Sequence, residues 1–164
     1  MLGSLKEKLG FGKKGEVLYA PIEGEAIELA KVSDPTFGEE ILGKGIAIVP
    51  SVGKVYAPID ATIEMVFDTK HAISMKSESG IEILVHVGLD TVTLKGEPFK
   101  EHVAAGDKVK VGDLLLEFDI EAIKNAGLEV VSPVIICNTA DYSEIKTTTG
   151  KTVNTKDEVM TIIK

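Results

Sequence analysis

From Glu16 onward the apolar residues come in short runs cut by Gly, Pro, Asp and Ser. That is the pattern of strands rather than of amphipathic helices. GIAIVPS (45–51) alternates between apolar and small or polar positions, and TIEMVF (62–67) places Ile63, Met65 and Phe67 on one side. KVKVGDLLLEFD (108–119) contains a Gly-Asp turn between two apolar stretches. YAPIE at 19–23 and YAPID at 56–60 form a near-repeat, and VVSPVII at 130–136 has a similar character. Each proline of the repeat is expected at a strand start or edge, where a missing N–H does no harm. The three runs are spaced too far apart and too irregularly for a solenoid, so they read as related crossings of one sandwich or barrel. Two short helices are expected. One lies in SDPTFGEEIL, with Pro35 in the first turn after an Asp or Ser cap; the other is DIEAIKNAG, with Asp119 as N-cap and Gly127 just past the end.

Composition sharpens this picture of an all-β protein. The chain has 164 residues, 44% of them apolar, with no Trp and few aromatics. Its core must therefore be built mostly from Val, Ile and Leu, and the β-branched ones favour strands. Residues 16–164 are expected to form a single domain. Residues 1–15, MLGSLKEKLGFGKKG, differ from the rest: Leu2, Leu5 and Leu9 share one helical face, surrounded by Lys6, Lys8, Lys13 and Lys14. They read as a flexible leader or linker, or as a weak amphipathic contact for an anionic membrane surface. The net charge of −8, with no basic stripe interleaved with aromatics, argues against nucleic acid. An acidic protein that handles phosphate suggests a phosphate delivered by a basic protein partner. The single cysteine, Cys137, excludes an intramolecular disulfide and any CxxC pair, and VVSPVIICN marks it as a small residue of a buried strand. No apolar run reaches the length of a membrane span, and the protein is expected in the cytoplasm.

The informative chemistry lies in TKHAISMKSESGIEILVHVGLDT, starting at residue 69. Two of the three histidines, His71 and His86, stand fifteen residues apart in it. SESG (77–80) is a turn signal flanked by alternating segments. A four-residue loop pairs Lys76 with Ile81, Ser74 with Ile83, Ala72 with Val85 and His71 with His86. Directly paired side chains have Cβ atoms about 4.5–5.5 Å apart. In this register Ile81, Ile83, Val85 and Val87 share the core face with Ala72 and Ser74. His71, His86, Leu84, Ile73, Met75 and Glu82 share the other face, which is too apolar to be simply solvated. A one-residue slip would break this pairing.

A facing imidazole pair supports three chemistries. Both rings could bind a metal, but no third or fourth ligand is evident in the sequence. One could serve as general base, but no GxSxG elbow or reactive-cysteine context is present. One could itself be a nucleophile that takes a phosphoryl group, while the other hydrogen-bonds a phosphoryl oxygen. No nucleotide-binding signature accompanies them, so a donor other than ATP is expected.

The stretch TKHAISMKSESGIEILVHVGLDTVTLKGEPF resembles the glucose-type IIA component of the bacterial phosphoenolpyruvate-dependent sugar phosphotransferase system. The resemblance extends to VLYAPIEGEAIEL, PTFGEEILGKGIAIVPS and VKVGDLLLEFD, and so covers nearly the whole chain after residue 15. It implies an antiparallel, barrel-like β-sandwich. It also implies a phosphocarrier that takes phosphate from HPr and passes it to a cysteine of a sugar permease's IIB domain. On the family's pattern His86, in LVHVG, would carry the phosphate on Nε2, His71 would support it, and Thr69 would hydrogen-bond within the site. Some relatives bind zinc through both histidines and a partner's carboxylate, so zinc at His71 and His86 is an expectation and no cofactor is required. The implied docking patch has Phe37, Phe67, Leu84 and Ile73 around the histidines and Asp34 and Asp90 at an acidic rim facing HPr. Leu84 stands where many relatives have Phe. Regulated metabolic proteins are a further class of partner, since phosphate changes the charge of the docking face. Two rival β-sandwiches compete. A biotinyl or lipoyl carrier would modify Lys76 near the hairpin tip, and a metallopeptidase-like domain would need more metal ligands than are found.

Overall fold

The structure, a computed structural model, describes residues 15–164. The proposed leader or linker at 1–15, with its membrane contact, therefore lies almost wholly outside the described residues. The elements in chain order are β1 (Glu16–Tyr19), β2 (Gly24–Glu28), α1 (Pro35–Gly38), β3 (Lys44–Pro50), β4 (Lys54–Tyr56), β5 (Ala61–Val66), β6 (Ala72–Ser77), β7 (Glu82–His86), β8 (Phe99–Glu101), β9 (Lys108–Val109), β10 (Leu114–Phe118), α2 (Ile120–Asn125), β11 (Ser132–Ile136), β12 (Glu144–Thr147), β13 (Lys151–Val153) and β14 (Glu158–Ile163). An eight-stranded sheet runs β13-β2-β3-β11-β7-β6-β5-β9. It packs with two three-stranded sheets, β1-β14-β12 and β4-β10-β8. Every pairing is antiparallel. This is the expected antiparallel sandwich with two short helices.

Side-chain alternation explains how the large sheet holds two apolar layers. Ile46 and Ile48 of β3, Ile83 and Val85 of β7, and Val134 and Ile136 of β11 point into the main core, against Leu18, Val55, Leu115, Leu116 and Ile162. The residues between them, Ala47, Leu84 and Ile135, point the other way. There a smaller cluster forms with Leu29, Val32, Phe37, Leu89 and Val131. β11 is buried on both faces, which is why SPVII reads as a continuous apolar run. The functional site is built on this outer layer.

Both helices start as expected. Asp34 accepts a hydrogen bond from the Thr36 N–H at 3.0 Å with Pro35 in the first turn. Asp119 accepts from the Ala122 N–H at 3.0 Å. Gly127 follows α2 at φ 81°, a conformation that suits a residue without a Cβ.

The near-repeat has a physical meaning. Tyr19 closes β1 and Tyr56 closes β4, and the two segments bond reciprocally: Tyr19 N–H to Pro58 O at 2.9 Å, Tyr56 N–H to Pro21 O at 2.7 Å. The prolines serve as acceptors just past strand ends, rather than at strand starts. Pro133 is the second residue of β11, opposite Ala47, and β7 pairs with β11 only from Val134 onward.

Two of three local expectations need correction. A bulge in β5 pairs Ile63 with Met75 but Met65 with Ser74. The extra residue, Glu64, reverses the alternation, so Ile63 is buried while Met65 is 49% exposed on the outer face. The expected turn is present at Gly112 (φ 91°), and the strands on its two sides join different sheets: β9 pairs with β5, and β10 pairs with β4 and β8. Cys137 is exposed. It lies one residue beyond β11 on the outward parity of Ile135, its N–H donating to Glu82 O at 2.8 Å. Among the described residues no helix is long and apolar enough to cross a membrane.

Candidate functional site

The β6–β7 hairpin forms, but its register differs by one from the expected pairing. Ala72 pairs with His86, Ile73 with Val85, Ser74 with Leu84 and Met75 with Ile83. The loop is shorter than assumed. Ser77 N–H already bonds Ile81 O at 2.9 Å, leaving Glu78, Ser79 and Gly80 as a three-residue turn with Gly80 at φ 101°. The slip exchanges the faces of β6. Ile73 and Met75 are wholly buried in the main core, and Ala72 and Ser74 lie on the outer face. Ile73 is thus a core residue and cannot contribute to a docking patch.

The two histidines nevertheless meet, because His71 is not in the strand. A turn over Phe67–Lys70 (Lys70 N–H to Phe67 O, 2.7 Å), with Lys70 left-handed at φ 59°, precedes it. β6 begins only at Ala72, so strand parity does not govern the His71 side chain. The His71 carbonyl still accepts from Val87 N–H at 2.7 Å, which ties this corner to the end of β7. The two imidazole centroids are 4.9 Å apart with planes at 79°. Phe37 lies 4.8 Å from His86 and Phe67 lies 5.5 Å edge-on to His71, so four rings run in a row.

Each ring has its Nδ1 engaged. His86 Nδ1 is 2.8 Å from Gly88 O, which can only accept, so Nδ1 carries a proton and Nε2 of the neutral ring keeps its lone pair. His71 Nδ1 is 2.6 Å from Thr69 Oγ1. A hydroxyl donating to Nδ1 leaves the His71 proton on Nε2. Both rings resist protonation. Burial, then the neighbouring His86, lowers the His71 pKa from 6.5 to about 4. Burial also lowers that of His86, partly offset by the Gly88 carbonyl and the Asp34 and Asp90 carboxylates. At neutral pH the site therefore holds the Nε2 lone pair of His86 and, beside it, a neutral His71 that donates from Nε2 when Thr69 donates to its Nδ1.

The remaining expected site residues divide. Leu84, half-buried, follows His86 along the outer face of β7. Phe37 is 5% exposed, so it supports the His86 ring more than it offers free surface. Phe67 is half-buried. Asp34 caps α1, and Asp90 is exposed just past β7. Lys70 does not reach into the site; its Nζ is 3.3 Å from a Glu101 carboxylate oxygen. His102, the third histidine, pairs with Glu117 at 2.6 Å on the surface. Among the described residues no group of three or more His, Cys, Asp or Glu is arranged to hold a metal ion.

Sequence reasoning missed two contributors. One is the Gly88 carbonyl, for which the Gly two residues after His86 was the available signal. The other is Met65, brought to the outer face by a bulge that leaves no mark in the sequence.

Fold and site define a small β-sandwich whose outer sheet layer presents two facing imidazoles, each engaged at Nδ1. The family model described as "phosphoenolpyruvate-dependent sugar phosphotransferase system, EIIA 1" matches residues 16–142, and the chain belongs to that family. The chain is 48% identical over 129 residues to the glucose-specific EIIA component of Oceanobacillus iheyensis, spanning 79% of this chain and 78% of that protein. It is 47% identical over 133 residues to the beta-glucoside-specific EIIBCA component of Dickeya chrysanthemi, covering 81% of this chain but only 21% of that longer protein. Among solved structures, glucose permease IIA from Mycoplasma capricolum superposes with a TM-score of 0.85 at 35% identity, covering 92% of this chain and 97% of the other.

Proposed function

We propose that the protein is a phosphocarrier: His86 Nε2 accepts a phosphoryl group from the phosphohistidine of HPr and passes it to a cysteine thiolate of a sugar permease's IIB domain. The observation that carries this reading is the pair of facing neutral rings, each engaged at Nδ1 and so leaving both Nε2 atoms for the transferred group. The His86 Nε2 lone pair forms the new P–N bond as the donor's P–N bond breaks, and the donor imidazole leaves with that electron pair. His86 keeps its Nδ1 proton throughout. Positive charge then grows on its ring, where the Gly88 carbonyl and the Asp34 and Asp90 carboxylates favour it. The His71 Nε2–H donates to a phosphoryl oxygen, and Thr69 holds it in that tautomer. In the second step the IIB thiolate attacks phosphorus and the His86 ring leaves neutral.

Docking uses the outer layer around the histidines, Leu84, Phe67 and Met65, with Asp34 and Asp90 meeting basic groups of HPr. Transfer of a phosphoryl group to a neutral ring that keeps its Nδ1 proton adds about one net negative charge to this face, so partners that read the carrier's phosphorylation state would bind here too. Relatives named for glucose and for beta-glucosides both match. We take the permease served to be one for glucose or a glucoside, with transfer on the cytoplasmic side. Zinc would need the other His71 tautomer, with Thr69 Oγ1 accepting from Nδ1–H; the two Nε2 lone pairs would then supply two positions of the ion, whose remaining ligands would come from a partner.

Incubation with phosphoenolpyruvate, enzyme I and HPr should load one acid-labile, base-stable phosphate. H86Q should take none. H71Q should still load but transfer onward poorly. Normal labelling of H86Q would overturn the assignment.

A further inference from the structure

The hydrogen bond that sets the His86 tautomer depends on where the Gly88 carbonyl points, and the backbone around Gly88 is held from several sides. Gly88 sits at φ 73°, and a Cβ there would lie 2.6 Å from Thr91 Cγ2 and 2.9 Å from Glu129 O. The Val87–Gly88 peptide is bonded at both ends by buried hydroxyls. Thr91 Oγ1 donates to Val87 O at 2.5 Å, and Gly88 N–H donates to Ser132 Oγ at 3.2 Å. Ser132 Oγ in turn donates to Val130 O at 2.8 Å, so its own proton is used and its lone pair is left for Gly88. The next peptide is held by Leu89 N–H to Glu129 O at 3.0 Å on one side and by His86 Nδ1 to Gly88 O on the other.

Ser132 and Thr91 are both 0% exposed, in a molecule that otherwise buries almost only apolar side chains. A buried hydroxyl has a desolvation cost, which is offset only by the bonds it makes. Ala or Val would fill the same volumes without that cost. Neither hydroxyl is hydrogen-bonded to an imidazole, so their common effect is on one peptide, between the two residues that follow His86.

We propose that Ser132 and Thr91 are positioning residues for phosphoryl transfer: their hydroxyls clamp the Val87–Gly88 peptide from opposite ends and so aim the Gly88 carbonyl at His86 Nδ1. The proposal rests on His86 being the phosphoryl acceptor. Without the clamp the Val87–Gly88 peptide can rotate, the left-handed Gly88 that aims the next carbonyl relaxes, that carbonyl leaves Nδ1, and part of the His86 population carries its proton on Nε2. That part has no lone pair at the transfer position.

The test compares S132A and T91V with the hydroxyl-retaining S132T and T91S, and with I136V as a control that loosens the core at the other end of β11 without touching the clamp. Nitrogen-15 NMR of neutral His86 reads the tautomer directly. Wild type, S132T, T91S and I136V should show the Nδ1–H form alone. S132A and T91V should show both forms and accept phosphate from phospho-HPr about tenfold more slowly, the effect of losing roughly one hydrogen bond in the transition state. A single tautomer with unchanged rate in S132A and T91V overturns the clamp, as does an equal tautomer mixture in I136V. The two variants read the same peptide from opposite ends, so one that fails to fold leaves the other decisive. Absence of phosphate on wild-type His86, with the tautomer pattern as expected, would instead refute the functional reading and leave the clamp standing.

Discussion

Gly88→Ala is the substitution whose cost the geometry specifies most fully. An L residue at φ 73° is left-handed, which costs about 1–2 kcal/mol. The new Cβ would also lie 2.6 Å from Thr91 Cγ2 and 2.9 Å from the backbone oxygen of Glu129. Thr91 is fully buried with its hydroxyl bonded, and Glu129 O already accepts from Leu89 N–H, so neither neighbour moves freely. Overpacking of this kind adds about 1–3 kcal/mol. The expected total is about 2–5 kcal/mol, some 4–20 °C in Tm for a domain of this size. Urea unfolding followed by circular dichroism measures it, with an unchanged m-value showing that the denatured state is unaffected. The displaced carbonyl should also impair phosphate acceptance in the molecules that remain folded. A loss below about 0.5 kcal/mol, the scale of an ordinary surface change, would refute the packing described around Gly88.

Four further outcomes follow from the site. His71 has its folded pKa lowered to about 4 from 6.5, so its contribution to stability is present above pH 6.5 and is lost as the pH falls toward 4. With solvent screening this amounts to about 2 kcal/mol, and denaturation of wild type against H71Q across that range should show the wild-type curve falling more steeply; parallel curves would sink it. Thr69→Val should free the His71 tautomer and slow onward transfer about tenfold in a rapid-quench assay, the scale of one lost hydrogen bond, while unaltered transfer would remove Thr69 from the mechanism. Ile73→Ala should cost about 2–5 kcal/mol in urea because the side chain is fully buried, and a near-neutral result would restore it to the surface. Met65→Glu, at an exposed position, should change stability by less than about 0.5 kcal/mol yet raise the KM for phospho-HPr; an unchanged KM would place docking elsewhere.

Much of this was legible in the sequence for physical reasons. Short apolar runs with turn residues between them specify strands, and Asp34-Pro35 and Asp119 with Gly127 mark two helices by their ends. The histidine pair was found from its spacing and from resemblance, but the route through strand pairing was wrong in detail. Whether a hairpin loop holds three or four residues depends on a single backbone angle at Gly80, and the sequence SESG fits either. That one-residue difference moved Ile73 from the docking patch into the core, while the left-handed turn at Lys70 brought His71 back to His86 by another path. The bulge at Glu64 and the outward turn of Cys137 were illegible for a related reason, since each depends on pairing with a distant strand. The hydrogen bonds to Nδ1 come from a backbone carbonyl and a neighbouring hydroxyl, and only the second has a side chain that the sequence displays.

Nitrogen-15 and phosphorus-31 NMR of the protein phosphorylated through HPr tests the central claim most directly. The account predicts one phosphoryl group, bonded to Nε2 of His86, with the Nδ1 proton retained. Phosphate on His71, or on Nδ1 of His86, would contradict it.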